Sequence, residues 1–404
     1  MLTSLDVILL IALALVFARL LGFIFDRCKQ PAVIGEIVAG ILLGGIGVFF
    51  LSNELVTVFD IHIPALNFTS PEFHLFAEIG ILFLLFISGL ETSFSQLKKT
   101  EKSSTYVAIG GVLVPLFLGF LVGFLAGFSI SESIVIGLIL VATSVGVTVR
   151  SLLDINALDS DVGSTILGSA VIDDVIGIIL LAIVLGIDSP VSIVIKIGLF
   201  FFIFLYIGLK IIGKVLDLGE KIHLPKAFLS IALAIFLIYS FFAYTTGIAG
   251  IIGAFVAGLL IGHNLKTRKI VDDIQAIGYG FFVPLFFVWV GARLWEGDFS
   301  NLSAFNTLLL LSLILIGIGI IGKILGCGIG AKLAGMTNKE SLQIGIGMIP
   351  RMELALIIAS TAATNQNLVA NPILGHQMLT ATIILTIVTA ILTPILIKAA
   401  FKHN

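Results

Sequence analysis

Apolar runs of about 20 residues follow one another along the whole chain, and they limit what it can fold into. A run of this length is what an α-helix needs to cross the hydrocarbon of a bilayer. Of the 404 residues, 59% are hydrophobic and only 11% are charged, whereas an average soluble domain has about 25% charged residues. A membrane β-barrel would need alternating segments of about 10 residues instead. The sequence therefore excludes a soluble or disordered chain and predicts an all-α polytopic membrane protein.

The polar breaks between the apolar runs predict thirteen transmembrane helices in a single transmembrane domain. The predicted spans are 5–25, 32–51, 74–90, 106–128, 133–153, 163–185, 191–215, 227–244, 246–262, 277–291, 304–331, 341–363 and 378–398. Most of the 22 lysine and arginine residues lie at alternate ends of these spans, which the positive-inside rule assigns to the cytoplasm. We therefore expect an external N-terminus and a cytoplasmic C-terminus in the plasma membrane. With a net charge of −2, the sequence indicates no nucleic-acid partner.

Charged and hydroxyl side chains lie near the centres of four predicted spans. Charged groups at membrane depth are costly, so they are candidate functional residues by default. Contributions from four helices at about one depth indicate a site rather than scatter. The candidates are Thr143, Ser144, Asp173, Asp174, Lys323, Arg351 and Glu353.

Two of these spans are predicted to be broken helices. The run 143–146 combines two hydroxyl residues with a glycine, and Pro350 removes an amide donor from the twelfth span. Broken helices with binding groups at the bilayer midplane are typical of transporters built from inverted repeats. Six spans, one connecting span and six further spans fit such a repeat, and this alignment pairs the fifth span with the twelfth.

The adjacent aspartates suit the exchange of a cation for a proton. Neighbouring positions on a helix point about 100° apart, so Asp173 and Asp174 can face different partners. A buried carboxylate binds either a proton or a cation, and sodium and protons would therefore compete for it. Lys323 can pair with an aspartate or extend towards the cytoplasm. Arg351 and Glu353 can neutralise each other or nearby helix ends, or they can act directly in gating.

Four motifs in the sequence resemble those of a known transporter family. They are VATSVGVTVRSL at 141–152, GSAVIDDVIGIILL at 168–181, IGKILGCGIGA at 321–331 and GIGMIPRMELALIIA at 345–359. Together they are similar to the monovalent cation:proton antiporter superfamily, within its cation:proton antiporter-2 branch of NapA-like sodium/proton antiporters. The resemblance extends over about residues 5–398.

The resemblance implies roles for the charged residues of two spans. Asp174 would carry the transported cation or proton, and Asp173 would pair with Lys323 in a salt bridge that breaks when sodium binds. Two adjacent aspartates imply electrogenic exchange of about two protons per cation in a transporter of this kind. Sodium is the expected cation, with lithium as a further substrate.

The broken helices also have roles that the resemblance implies. Thr143 and Ser144 would lie where the two broken helices cross, and would contribute to the sodium site together with the aspartates. Glu353 and Arg351 would compensate the helix-end charges at that crossing. The transported cation would be the only bound ion, and no cofactor is expected.

The resemblance further implies a NhaA-like architecture with two parts. Residues 5–91 and 227–291 would form a panel that makes a homodimer, residues 106–185 and 304–398 would form the transport core, and 191–215 would be the linker helix. We expect no nucleotide-binding regulatory tail.

Other functions fit the sequence less well. A potassium/proton antiporter of the same family and a sodium-coupled organic-solute symporter are the alternatives that stay open. A membrane aspartyl protease would need a Gly-x-Gly-Asp element, and a prenyl-transfer enzyme would need a DDxxD motif, and neither occurs in the sequence. We therefore predict that the protein is not an enzyme.

Overall fold

The protein is helical over almost all of the chain that the structure describes. The computed structural model describes residues 4–28, 30–50, 56–58, 61–63, 66–92, 94–185, 190–221, 224–246, 250–263, 270–296, 305–365 and 368–401. The first nine helices are α1 (Ser4–Arg27), α2 (Ala32–Phe50), α3 (Pro71–Glu91), α4 (Phe94–Lys99), α5 (Glu101–Leu125), α6 (Ile130–Val141), α7 (Gly146–Asp154), α8 (Asp161–Leu185) and α9 (Pro190–Phe200). The other nine are α10 (Gly208–Lys221), α11 (Ala227–Thr245), α12 (Gly250–Gly262), α13 (Val271–Ile277), α14 (Val283–Ala292), α15 (Phe305–Leu333), α16 (Asn338–Gly347), α17 (Glu353–Thr364) and α18 (Pro372–Phe401).

Short non-α elements interrupt this series. A π-helical segment, Phe201–Ile207, joins α9 to α10, and a second one, Gly278–Phe282, joins α13 to α14. Strands β1 (Val56–Val58) and β2 (Ile61–Ile63) form a small antiparallel hairpin between α2 and α3.

The length and composition of the helices confirm an α-helical membrane protein. Among the described residues, nine helical stretches are long and apolar enough to cross a bilayer, or ten if the bent pair around Ile207 counts as one span. Three shorter apolar helices lie within α2, α12 and α17. The all-helical class is therefore as predicted, while the number of thirteen spans stays a prediction.

Two predicted spans are interrupted near their centres. α6 ends at Val141 and α7 begins at Gly146, while α16 ends at Gly347 and α17 begins at Glu353. In each case the first half-helix starts with a capping box, in which a hydroxyl residue and a glutamate bond each other's backbone N–H groups. Such caps fix where a helix begins. The helix starts are thus set locally, and both helices then stop in the interior.

Glycines allow some of the long helices to pack closely. On α5 and α15, a β-carbon built at Gly326 would collide with the backbone carbonyl of Gly110, and one at Gly330 would collide with that of Tyr106. Small residues let helices approach closely in a membrane, where the hydrophobic effect does not drive their association. α15 is consequently held tightly against α5 along this stretch. α8, which carries the aspartate pair, packs on α5, α6, α16 and α17.

This packing predicts opposite effects for the same substitution at two positions of α15. Gly326→Ala should lower the free energy of unfolding by about 1–3 kcal/mol, since the added methyl overpacks the contact with α5. Gly317→Ala is the matched control, because nothing lies within 4 Å of a β-carbon there, and alanine is the better helix former by about 1 kcal/mol. Thermal unfolding of the purified variants in detergent measures both stabilities. Equal stabilities would contradict the close packing.

Candidate functional site

The two interrupted helices meet at their breaks. The amide N–H of Ser144 donates to the carbonyl of Pro350 over 2.8 Å, and the Thr148 hydroxyl donates to the carbonyl of Gly347 over 2.6 Å. Residues 142–149 and 341–352 are buried, apart from a single exposed position at Leu342. The breaks therefore satisfy part of each other's backbone, which irregular chain at membrane depth requires.

Asp173 and Lys323 form an ion pair in the interior. The Lys323 ammonium lies 3.1 Å from Asp173 Oδ2 and 3.3 Å from Oδ1. The side chains are 0% and 1% exposed, respectively. The lysine therefore pairs with an aspartate in this structure and does not extend to the surface. A buried pair of this kind requires both charges, because removing one leaves the other uncompensated.

Small and hydroxyl residues surround this ion pair. A methyl group on Gly111 of α5 would come within 2.6 Å of the Cys327 Sγ and 3.4 Å of Lys323 Nζ, so the glycine leaves room for the cysteine side chain beside the lysine. The Thr143 hydroxyl is buried and lies close to the Asp173 carboxylate. An oxygen in that position is suited to bind a cation.

Asp174 faces a different part of the protein from its neighbour. Its side chain lines a small cavity whose free space, ≈ 10 Å³, is that of about one water molecule. The walls come from α3, the first break, α8 and α12. Among the residues that form them are Leu85, Val145, Ala170, Ile251 and Phe255. The two aspartates thus point to different partners, as adjacent positions on a helix predict.

Arg351 binds backbone carbonyl groups near the ends of two half-helices. Its guanidinium is fully buried and donates to the carbonyls of Leu140 in α6 (2.8 Å) and Gly319 in α15 (2.9 Å). It also donates to the carbonyl of Ile349, just after α16. The carboxyl end of a helix carries a partial negative charge, so this cation can offset the ends of α6 and α16.

Glu353 is the first residue of α17, but its side chain lies outside the described residues. An acidic residue at a helix start would complement the partial positive charge there. Its role in charge compensation stays a prediction.

Sequence reasoning missed several residues that build this site. Gly319 lies in the middle of α15, and a β-carbon there would come within 3.8 Å of the Arg351 guanidinium carbon. Cys327 lies one turn from Lys323, on the same face of α15. A glycine inside a helix is a signal for close approach and could have identified Gly319. Thr148 and Cys327 have no comparable signal, because single hydroxyl and thiol residues are common in such helices.

Comparison with known proteins identifies the family of the chain. Residues 11–403 match the family described as "Sodium/hydrogen exchanger, transmembrane". The Na(+)/H(+) antiporter of Enterococcus hirae is 33% identical over 397 residues, 96% of each chain. The Na(+)/H(+)-K(+) antiporter GerN of Bacillus cereus is 32% identical over 397 residues, 97% of this chain and 95% of that protein.

A solved structure has a similar fold. The sodium proton antiporter MjNhaP1 from Methanocaldococcus jannaschii at pH 8 superimposes with a TM-score of 0.65, at 20% identity and with coverage of 98% of this chain and 96% of that chain. The fold is therefore that of a polytopic helical membrane protein. The chain belongs to the sodium/hydrogen exchanger family, and the resemblance of its motifs is confirmed at that level. Its placement in the second branch stays a prediction.

The buried ion pair predicts how stability responds to its removal. Lys323→Met should lower the free energy of unfolding by about 3–5 kcal/mol, because it leaves a buried aspartate without a counter-charge. The double variant Asp173→Asn/Lys323→Met should recover much of this loss, since neither buried charge is then left alone. Lys332→Met on the exposed end of the same helix is the control, with an expected effect within about 0.5 kcal/mol. Thermal unfolding in detergent measures the stability of each variant. A Lys323→Met protein as stable as the control would contradict a stabilising Asp173–Lys323 ion pair.

Proposed function

We propose that the protein is a secondary active transporter that exchanges a monovalent cation for protons across the plasma membrane by alternating access. Sodium is the cation we propose, with lithium as a further substrate and no resident cofactor. The observation that carries the proposal is the pair of adjacent buried aspartates beside two contacting helix breaks. Membership of the sodium/hydrogen exchanger family supports it.

Each residue of the site has a role in this proposal. Asp174 carries the cation in one half of the cycle and protons in the other, and Thr143 and Ser144 supply oxygen ligands from the first break. A cation bound near Asp173 repels the Lys323 ammonium, since like charges a few ångströms apart interact strongly in a medium of low dielectric constant. Binding of the cation and the Asp173–Lys323 ion pair therefore compete, which couples cation binding to release of the pair.

Two carboxylates and one monovalent cation make the proposed exchange electrogenic. If the cation displaces one proton from Asp174 and one from the Lys323 ammonium as the Asp173–Lys323 pair opens, about two protons move per cation and one net charge crosses. Arg351 and Glu353 compensate the half-helix ends, so that the net charge at the breaks changes mainly with the transported ions.

The proposed architecture has thirteen spans, with the N-terminus outside and the C-terminus in the cytoplasm. α6/α7 and α16/α17 are the crossed broken helices of an inverted repeat, which is supported by their matching capping boxes and by the hydrogen bond between their breaks. Residues 106–185 and 304–398 form the moving core, residues 5–91 and 227–291 form the panel of a homodimer, and 191–215 is the linker.

Potassium is the second candidate cation. The relative GerN, which matches nearly the whole chain, is named as a Na(+)/H(+)-K(+) antiporter. Since the cation ligands proposed here are mostly hard oxygens that accept sodium, lithium and potassium alike, the ranking of these cations has to be measured.

Reconstituted protein tests the exchange directly. In proteoliposomes with an imposed pH gradient, addition of sodium should dissipate the gradient, as followed by a pH-sensitive dye, and lithium and potassium should be compared at equal concentration. Asp174→Asn should abolish the response, because an amide binds neither a proton nor a cation strongly. Asp161→Asn is the matched control on α8, since that aspartate pairs with Lys99 near the surface, and it should retain exchange.

Two outcomes would overturn the proposal. A wild-type protein that responds to no cation between about pH 6 and 9 would favour a sodium-coupled organic-solute symporter instead. Exchange that persists in Asp174→Asn would remove that residue from the site. A potassium diffusion potential applied to the same vesicles tests electrogenicity, and a rate of sodium-driven proton movement that does not change with the potential would refute the proposed stoichiometry.

A further inference from the structure

A vestibule opens to the protein surface where α7 ends beside α3 and α13. Its volume is about 380 Å³. Acidic and polar side chains form much of its lining, including Glu91, Asp154, Asn156, Asp159 and Gln275. Burial raises the pKa of Asp159, which lies in the loop after α7. The vestibule lies at the end of the protein that the predicted topology assigns to the cytoplasm.

The vestibule and the Asp174 cavity lie on the same contact between α3 and α7. On α3, Leu85 lines the cavity and Glu91 lines the vestibule. On the α7 side, Val145 lines the cavity and Arg150 lines the vestibule. Five to six residues of helix correspond to about 8–9 Å. Between them on α3, the Ser88 hydroxyl is buried and has no hydrogen-bond partner among the described residues. Only a short stretch of packed protein therefore separates an open, polar space from the aspartate.

Arg150 fills the vestibule end of that stretch. Its guanidinium carbon lies 4.5 Å from the centre of the Tyr279 ring, and its Nε lies 3.2 Å from the Asp154 carboxylate on the next turn of α7. Tyr279 belongs to the π-helical segment that follows α13. The planar guanidinium of an arginine stacks on an aromatic ring in a way that a lysine ammonium does not.

The panel helices hold Tyr279 and a counter-charge in place. Arg19 of α1 donates to the Tyr279 carbonyl and lies 3.7 Å from the Glu36 carboxylate of α2. Glu36 is 3% exposed, and its second oxygen has no hydrogen-bond partner in the described chain. Arg150 of α7 thus contacts a tyrosine whose backbone is held by Arg19 of α1.

We propose that Arg150 is a positioning residue that docks α7 onto Tyr279 and so closes the passage between the vestibule and the Asp174 cavity. The guanidinium occupies the narrow end of the passage. While it stays there, its positive charge repels an entering cation. To connect the vestibule with Asp174, Arg150 has to leave the aromatic ring. The role in transport rests on the proposed function, whereas the closure itself is a property of the fold.

Cysteine accessibility tests the closure without requiring transport. Both native cysteines are first replaced (Cys28→Ser and Cys327→Ala), and Ala170→Cys then places a thiol in the wall of the Asp174 cavity. In proteoliposomes we would measure its rate of modification by a cationic and by an anionic methanethiosulfonate reagent. Arg150→Gln should raise both rates about tenfold, as expected if an interaction worth about 1.4 kcal/mol is lost. Arg27→Gln, which removes an exposed arginine stacked on Phe23, is the matched control and should change neither rate.

Variants of Tyr279 provide an independent test if Arg150→Gln does not fold. Tyr279→Leu should accelerate modification as Arg150→Gln does, whereas Tyr279→Phe keeps the ring and should match the parent protein. Modification of the double variant Arg150→Gln/Tyr279→Leu should be no faster than that of either single variant, because both substitutions remove the same contact. Unchanged rates in both Arg150→Gln and Tyr279→Leu would overturn the proposal. Acceleration of the cationic reagent alone would also overturn it, since that result indicates a change in local potential with the passage still closed.

The same vesicles separate this inference from the proposed exchange. If the wild-type protein exchanges no cation while Arg150→Gln still accelerates modification, the proposed function fails and the closure by Arg150 stands. If sodium/proton exchange is present and modification is unaffected, the closure fails and the proposed function stands.

Discussion

The need to satisfy backbone polar groups at membrane depth underlies the architecture of this protein. Two helices stop in the interior, and each leaves carbonyl and amide groups without partners in its own helix. In the hydrocarbon there is no water to replace those partners. The two breaks therefore lie against each other, where the Ser144 amide donates to the Pro350 carbonyl and the Thr148 hydroxyl donates to the Gly347 carbonyl. The Arg351 guanidinium then donates hydrogen bonds to carbonyls of α6, of α15 and of the segment after α16.

This arrangement places charged side chains next to irregular backbone, and the charges and the backbone groups stabilise each other. A cation such as Arg351 is acceptable in the interior because it has several carbonyl partners, and the carbonyls are acceptable because they have the cation. The Asp173–Lys323 pair follows the same rule, since each charge compensates the other at essentially complete burial. Asp174, by contrast, borders a cavity of the size of one water molecule. The region thus combines a fully buried ion pair with a carboxylate that lines a small cavity.

Much of this could be predicted from the sequence, for identifiable reasons. Apolar runs and the positions of charged residues are strong signals in membrane proteins, so the helices and the candidate residues were both accessible. The breaks were also predictable, because Pro350 and the hydroxyl–glycine run at 143–146 disfavour continuous helix. The partners of Arg351 were not, since backbone carbonyls carry no sequence signal. The π-helical segments around 201–207 and 278–282 were equally hidden, because an extra residue in a helical turn leaves the apolar pattern almost unchanged.

The glycine contacts between α5 and α15 have a mechanical consequence. Where two backbones touch without intervening side chains, neither helix can slide along the other without losing the fit. α5 and α15 therefore form one stiff strut over the stretch that includes Gly110 and Gly326, and Lys323 is anchored to it. Any separation of the ammonium from Asp173 then has to come from rotation of the flexible lysine side chain or from displacement of α8. The strut therefore fixes the backbone of Lys323 relative to α5.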